Sequence, residues 1–122
     1  MYSRILVGTD GSETAARAVE RAVELAKAVG ATVTIASAGL TERAENIVEE
    51  AAARHSSKGV PIHTKTLDGD AATALVDEAA DGYDLLVVGN KGMVGASRFL
   101  VGSVPNKVSH HAPCALLIVH TT

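Results

Sequence analysis

The stretch Arg4-Ile5-Leu6-Val7-Gly8-Thr9-Asp10-Gly11-Ser12 passes within a few residues from an apolar run to a helix start. Ile5-Leu6-Val7 is continuously apolar, the pattern of a strand covered on both faces. Thr9-Asp10-Gly11-Ser12 is turn chemistry. Beyond it, Ala15, Ala18, Val19, Ala22, Val23, Ala26 and Val29 recur at i, i+3, i+4, i+7 spacing, which predicts a helix over 12–29. Ser12 suits its N-cap, Glu13 its first turn, and Gly30 its end. A buried strand running into an amphipathic helix is the first half of a β-α-β unit.

The rest of the chain repeats that alternation. Strands are expected at Thr32 to Ala38, Val60 to Leu67, Asp84 to Gly89 and Cys114 to His120. Between them, Thr41 caps a second helix with Ala44, Ile47, Val48 and Ala51 inward, and Asp70 caps a third that runs through Ala80. A fourth covers roughly Ser103 to His111, before Pro113. Strict β-α alternation implies an α/β fold, with a mainly parallel sheet and helices on both faces. Pro61-Ile62-His63-Thr64-Lys65-Thr66 alternates and carries Pro and Lys, so strand three belongs at an edge. Strands one and four read as central, which gives the order 3-2-1-4-5 with right-handed crossovers. Strand five, Ala115-Leu116-Leu117-Ile118-Val119, then lies at the opposite edge although it is wholly apolar. Such an edge invites pairing with its own copy, so a homodimer through residues 114–120 is expected.

Composition narrows the function. The 122 residues (12.5 kDa) support one domain over 1–122, and 47% apolar residues suffice for a core. Aromatics are only 2% (Tyr2, Tyr83 and Phe99), which argues against stacked-ring sites for flavins or single-stranded nucleic acid. The net charge of −3 is uneven: residues 1–84 carry 8 Lys/Arg and all 14 Asp/Glu, and residues 85–122 carry Lys91, Arg98 and Lys107 with no acid. That basic third suits a small anion, and three charges are too few for a nucleic-acid footprint. The lone Cys114 cannot form an intrachain disulfide, and no apolar run approaches a membrane span, so a cytoplasmic protein is expected.

In a doubly wound sheet, ligands bind beyond the strand C-termini where the winding reverses, here between strands one and four. Thr9-Asp10-Gly11-Ser12 follows strand one, and Gly89-Asn90-Lys91-Gly92 follows strand four. Gly89, Gly92, Gly95 and Gly102 crowd the second segment, and glycine lets backbone N–H groups approach an anion unobstructed. Ser103 and Val104 start the last helix, whose N-terminus attracts negative charge; Pro105 is tolerated in its first turn. Lys91 and Arg98 add cations. Asp10 suits a ribose hydroxyl or a metal held with phosphates; alternatively, Asp10-x-x-Glu13 resembles a capping box. A dinucleotide fingerprint and a Walker A loop are both absent. A response-regulator receiver would want a second acid beside Asp10 and a Lys after strand five. His110 and His111 are adjacent and so diverge on a helix; His55, His63 and His120 stand isolated; Cys114 reads as a core residue.

These residues resemble the universal stress protein family. Gly89, Gly92, Gly102 and Ser103 match its nucleotide motif G-x2-G-x9-G-[ST] with every spacer correct. Ile5 through Ser12 resembles its opening strand and turn, and Gly102 through Cys114 its ending. The resemblance implies a Rossmann-like, adenine nucleotide alpha hydrolase-like three-layer sandwich, usually dimeric through the last strand. It also implies ATP binding, with Mg as a companion ion that Asp10 would help to hold. Carried over by position, Thr9 and Ala38 would border adenine and Asp10 the ribose. Val88 and Gly89 would lie against the nucleoside, followed by Asn90 and Lys91, while Gly92, Gly102, Ser103 and Val104 would cradle phosphates. Ala38 is smaller than the family's usual wall, Gly39-Leu40 replaces a long insertion, and Pro105 replaces a small polar or acidic residue. No dedicated catalytic base accompanies Asp10, so the expected role is regulatory nucleotide binding rather than catalysis. The alternatives are a nucleotide-free dimeric module that recognises a protein partner, and a slow ATPase.

Overall fold

A computed structural model describes residues 2–90 and 103–120. Among the described residues nine elements alternate: β1 (Arg4–Gly8), α1 (Glu13–Val29), β2 (Thr32–Ala38), α2 (Glu42–Arg54), β3 (Ile62–Leu67), α3 (Ala71–Ala79), β4 (Leu85–Gly89), α4 (Ser103–His111) and β5 (Ala115–Val119). The strands form one parallel sheet in the order β3-β2-β1-β4-β5, as the sequence predicts.

Alternate residues of the central strands feed two cores. Ile5 and Val7 of β1 and Leu85 and Val87 of β4 meet Val19, Val23 and Ala26 of α1 and Val48 of α2. Leu6, Leu86 and Val88 point the other way, onto Leu75 of α3 and Val104 and Val108 of α4. The sheet is therefore sandwiched between two helical layers, and continuous apolar runs were needed in β1 and β4 because both faces are covered.

The helix signals act where their chemistry predicts. Ser12 Oγ accepts from Ala15 N at 3.1 Å, Thr41 Oγ1 from Ala44 N at 3.1 Å and Asp70 Oδ2 from Thr73 N at 3.2 Å. Gly30 ends α1 at a φ of 76°, in the left-handed region. The third strand begins at Ile62 rather than Val60, since Pro61 has no N–H and gives the ladder only its carbonyl, to Val33 N at 3.0 Å. At the far edge, Leu116, Leu117 and Ile118 are half-buried, and β4 is their only strand neighbour among the described residues. No helix among the described residues is long and apolar enough to cross a membrane.

The fourth strand begins with its apolar run at Leu85, one residue after the expected start at Asp84, which serves instead as a clasp. Its Oδ2 accepts from Ser3 N at 2.9 Å, Ser3 Oγ at 2.8 Å and Arg4 N at 2.9 Å, tying the start of β1 to the start of β4. Hydrogen bonds from the Ser3 side chain, then from the two backbone N–H groups, pull its pKa down from 3.8 to about 2. A lowered folded-state pKa contributes stability that is complete above the unfolded value and fades as pH falls through the folded one. Asp84→Asn is expected to lower the melting temperature at pH 7 and to flatten the loss of stability between pH 3.8 and about 2. Thermal melts of both proteins across that range test this; parallel curves would remove the clasp from the acid response.

Candidate functional site

The β1–β4 ladder pairs Ile5 with Leu85, Leu6 with Leu86 and Val7 with Val87, and stops there. Beyond that point each central strand follows its outer neighbour. Gly8 pairs with Ala36 of β2 and Thr9 N donates to Ala36 O at 2.9 Å. Val88 and Gly89 pair with Ile118 and Val119 of β5, and Asn90 N donates to Val119 O at 2.8 Å. The parting opens a crevice at the reversal of winding, between Thr9 on one lip and Asn90 on the other.

The first lip is knitted locally. Thr9 is 2% exposed, and its Oγ1 accepts from Gly11 N at 3.1 Å. Asp10 Oδ1 accepts from Ser12 N at 2.9 Å. This is an Asx turn rather than a capping box: Ser12 itself holds the N-cap, and Glu13 is already the first residue of α1. The second carboxylate oxygen of Asp10 has no hydrogen bond among the described residues, and the side chain is half-exposed. It remains an acceptor for a hydroxyl donor.

Ala38 ends β2 opposite Leu67, half-buried, and Gly39 N donates to Leu67 O at 2.7 Å. Only Gly39, Leu40 and Thr41 separate β2 from α2. The Ala38 methyl packs, partly buried, against the core shared with α3 and α4. Val88 and Val104 offer the crevice no side chain: they are 0% and 3% exposed and share the core between the sheet and α3 and α4. What these two can present is backbone. Gly89 and Asn90 are buried at the end of β4, and Asn90 is 5% exposed.

The second lip leads to α4, opened by Ser103. Its first-turn N–H groups lack intrahelical acceptors, and Pro105 at the third position removes one of those donors. Lys91, Gly92 and Gly102 lie outside the described residues. Lys107, counted in the sequence among the cations of the basic C-terminal third, turns away. Its Nζ sits 3.6 Å from Asp70 Oδ2 and 3.4 Å from Thr73 Oγ1, binding α4 to α3. Among the described residues no group of three or more His, Cys, Asp or Glu side chains could hold a metal, so Asp10 could share an ion only with oxygens brought by a ligand. The donor set fits a nucleotide in this respect: a carboxylate oxygen without a partner among the described residues and a helix N-terminus.

His55, which stands isolated in the sequence, is 6% exposed in the fold, and its Nδ1 has no hydrogen-bond partner. It lines a cleft of about 390 Å³ between α1 and α2 that no pattern along the chain announces.

The model of the universal stress protein family matches residues 1–40 and 35–120, its two segments meeting at the short β2–α2 connection. A universal stress protein of Mycobacterium tuberculosis (strain H37Rv) is 35% identical over 144 aligned positions, covering 99% of this chain and 98% of its own. One from Bacillus subtilis (strain 168) is 30% identical, covering 98% and 99%. Among solved structures, a universal stress protein in complex with cAMP is 35% identical, covers 99% of both chains and superposes with a TM-score of 0.84. With the fold, the crevice and a match along nearly the whole length in agreement, this chain belongs to the universal stress protein family.

Proposed function

We propose that the protein binds an adenine nucleotide, ATP with Mg, in the crevice between β1 and β4 and acts as a regulatory component of a stress response. The observation that carries the reading is the parting of β1 from β4 beyond Val7 and Val87. It leaves an uncommitted oxygen of Asp10 on one lip, while the other leads to the α4 N-terminus. The cAMP complex of a relative 35% identical over 99% of both chains supports the ligand class.

In this reading Asp10 accepts from the ribose hydroxyls, and Thr9 and Ala38 border the base. Val88 and Gly89 contribute backbone to the nucleoside, with Asn90 and Lys91 following. Gly92, Gly102, Ser103 and Val104 surround the phosphates with N–H groups and a hydroxyl. Small aliphatic walls in place of rings make the affinity modest. Asp10 is the one acid on the described lips, and its bond to Ser12 N holds it in a turn. It acts as a binding group, and hydrolysis is at most slow. The half-buried apolar edge of β5 pairs with a second copy of the chain.

Calorimetry with Mg-ATP and with AMP tests the site. Gly92→Val is expected to weaken Mg-ATP binding at least about tenfold by placing a branched side chain among backbone donors, and Ser103→Ala by about 3–10-fold through loss of a charge-assisted bond. Equal affinity in the wild type and both variants would remove the site.

A further inference from the structure

The two helical layers differ in a way the crevice does not explain. α3 packs on α4, fastened by Lys107 to Asp70 and Thr73. α1 packs on β1, β2 and β4, α2 packs on β2 and β3, and a cleft of about 390 Å³ lies between the two helices. That volume is within the range of small-molecule sites. Ala16 and Val19 of α1 and Ile47 and Ala51 of α2 give it an apolar lining, and His55 and Lys58 stand at the end of α2.

The polar groups at that end are unevenly satisfied. Arg54 is paired with Glu50 at 3.2 Å. Lys58 is half-buried and makes no ion pair among the described residues. The Nδ1 atom of His55 is buried without a partner. Burial first, then the Lys58 ammonium, lower the His55 pKa, so the imidazole is neutral at pH 7 and one of its nitrogens carries a donor proton. The Nδ1 edge is sealed inside the fold, so the edge of the imidazole that can meet a ligand is Nε2, which donates when it carries the ring proton and has the Lys58 ammonium nearby. Glu20 and Glu24 act on the same imidazole from α1, and Glu13, Glu20 and Glu50 line the cleft together with Arg17, Arg54 and Lys58, so the lining charges balance and repel a phosphate dianion more than a singly charged anion.

We propose that the α1–α2 cleft is a second ligand site, for a small amphipathic monocarboxylate. Its apolar body lies along Ala16, Val19, Ile47 and Ala51, and its carboxylate meets Lys58 and His55. The site touches the nucleotide crevice only at the 9–12 turn and stands whether or not that crevice takes a nucleotide.

The test is an NMR titration of the full-length protein with sodium octanoate, following the His55 imidazole and the backbone amides of Ala16, Ile47 and Ala51. The expected result is saturable shifts at all four positions at millimolar octanoate. Lys58→Glu should weaken them at least about tenfold and leave the melting temperature close to that of the wild type. Ala51→Leu, which fills the lining, should abolish them, while octanol and octylammonium should bind far more weakly than octanoate. Absence of shifts, equal binding by Lys58→Glu, or equal binding of octanol would overturn the proposal. Displacement of octanoate by AMP would also overturn it, by merging the cleft with the crevice.

Discussion

Leu86→Ala is expected to reduce the free energy of unfolding by about 3–5 kcal/mol, the upper part of the range for a buried leucine. Leu86 is 0% exposed in the middle of β4, with Leu6 of β1 and Leu116 of β5 beside it in register and α3 and α4 above. Truncation removes three carbons from a site enclosed by rigid strands on both sides, so the cavity cannot collapse. Against a total of about 5–15 kcal/mol for a domain of this kind, that loss is a large fraction of the stability. Leu116, the edge member of the same row, is half-buried, and Leu116→Ala should cost roughly half as much. Urea unfolding of the two variants decides the matter. An equal loss at both positions would show that the outer edge of β5 is covered in solution, as pairing with a second copy would require.

The second large effect is expected at Gly11. Its φ of 83° lies in the left-handed region, and a Cβ placed there would stand 3.0 Å from Ile47 Cγ1. Gly11→Val therefore combines a backbone penalty of about 1–3 kcal/mol with overpacking of about 1–3 kcal/mol. Gly59 separates the two contributions, since its φ is 75° and a Cβ there would meet nothing within 4 Å. Gly59→Val should show the backbone penalty alone, and Ile47→Ala should recover part of the Gly11→Val loss when the two are combined. Thermal and urea unfolding of these four proteins checks the account. Equal losses at Gly11 and Gly59 would show that Ile47 moves aside freely. Because the 9–12 turn also positions Asp10, Gly11→Val should weaken nucleotide binding beyond what its stability loss explains.

Local chemistry was readable from the sequence because it acts over a few residues. Ser12, Thr41 and Asp70 cap the helices for which their positions suit them, and Gly30 ends α1. Strand order was readable because Pro61 and Lys65 mark an edge, while Ile5-Leu6-Val7 and Leu85-Leu86-Val87-Val88 mark the centre. What escaped the sequence depends on distances across the fold. Lys107 looks like an anion-binding cation until α4 is laid beside α3 and Asp70 comes within reach. Val88 and Val104 flank the two ends of the motif, but strand alternation sends Val88 to the same face as Leu86, into the core. The period of two along a strand is enough by itself to keep the Val88 side chain out of the crevice. His55 shows no periodic signal, and the space between α1 and α2 follows from helix placement that no local pattern encodes. On the Asp10 lip the turn chemistry read from the sequence is the chemistry the structure shows, with Gly11 N bonded to Thr9 and Ser12 N to Asp10.

The place of β1 in the sheet also bears on how the chain is made. β2 can dock on β1 once Ala38 has emerged, but the other edge of β1 waits for β4, which ends at Gly89. At typical translation rates that interval is about 3–10 s. During it the nascent chain displays Ile5-Leu6-Val7 as an unpaired apolar edge, able to pair with a neighbouring polypeptide on the same polysome. The strand that stands at the centre of the finished sheet is thus one that keeps an edge unpaired until β4 is made.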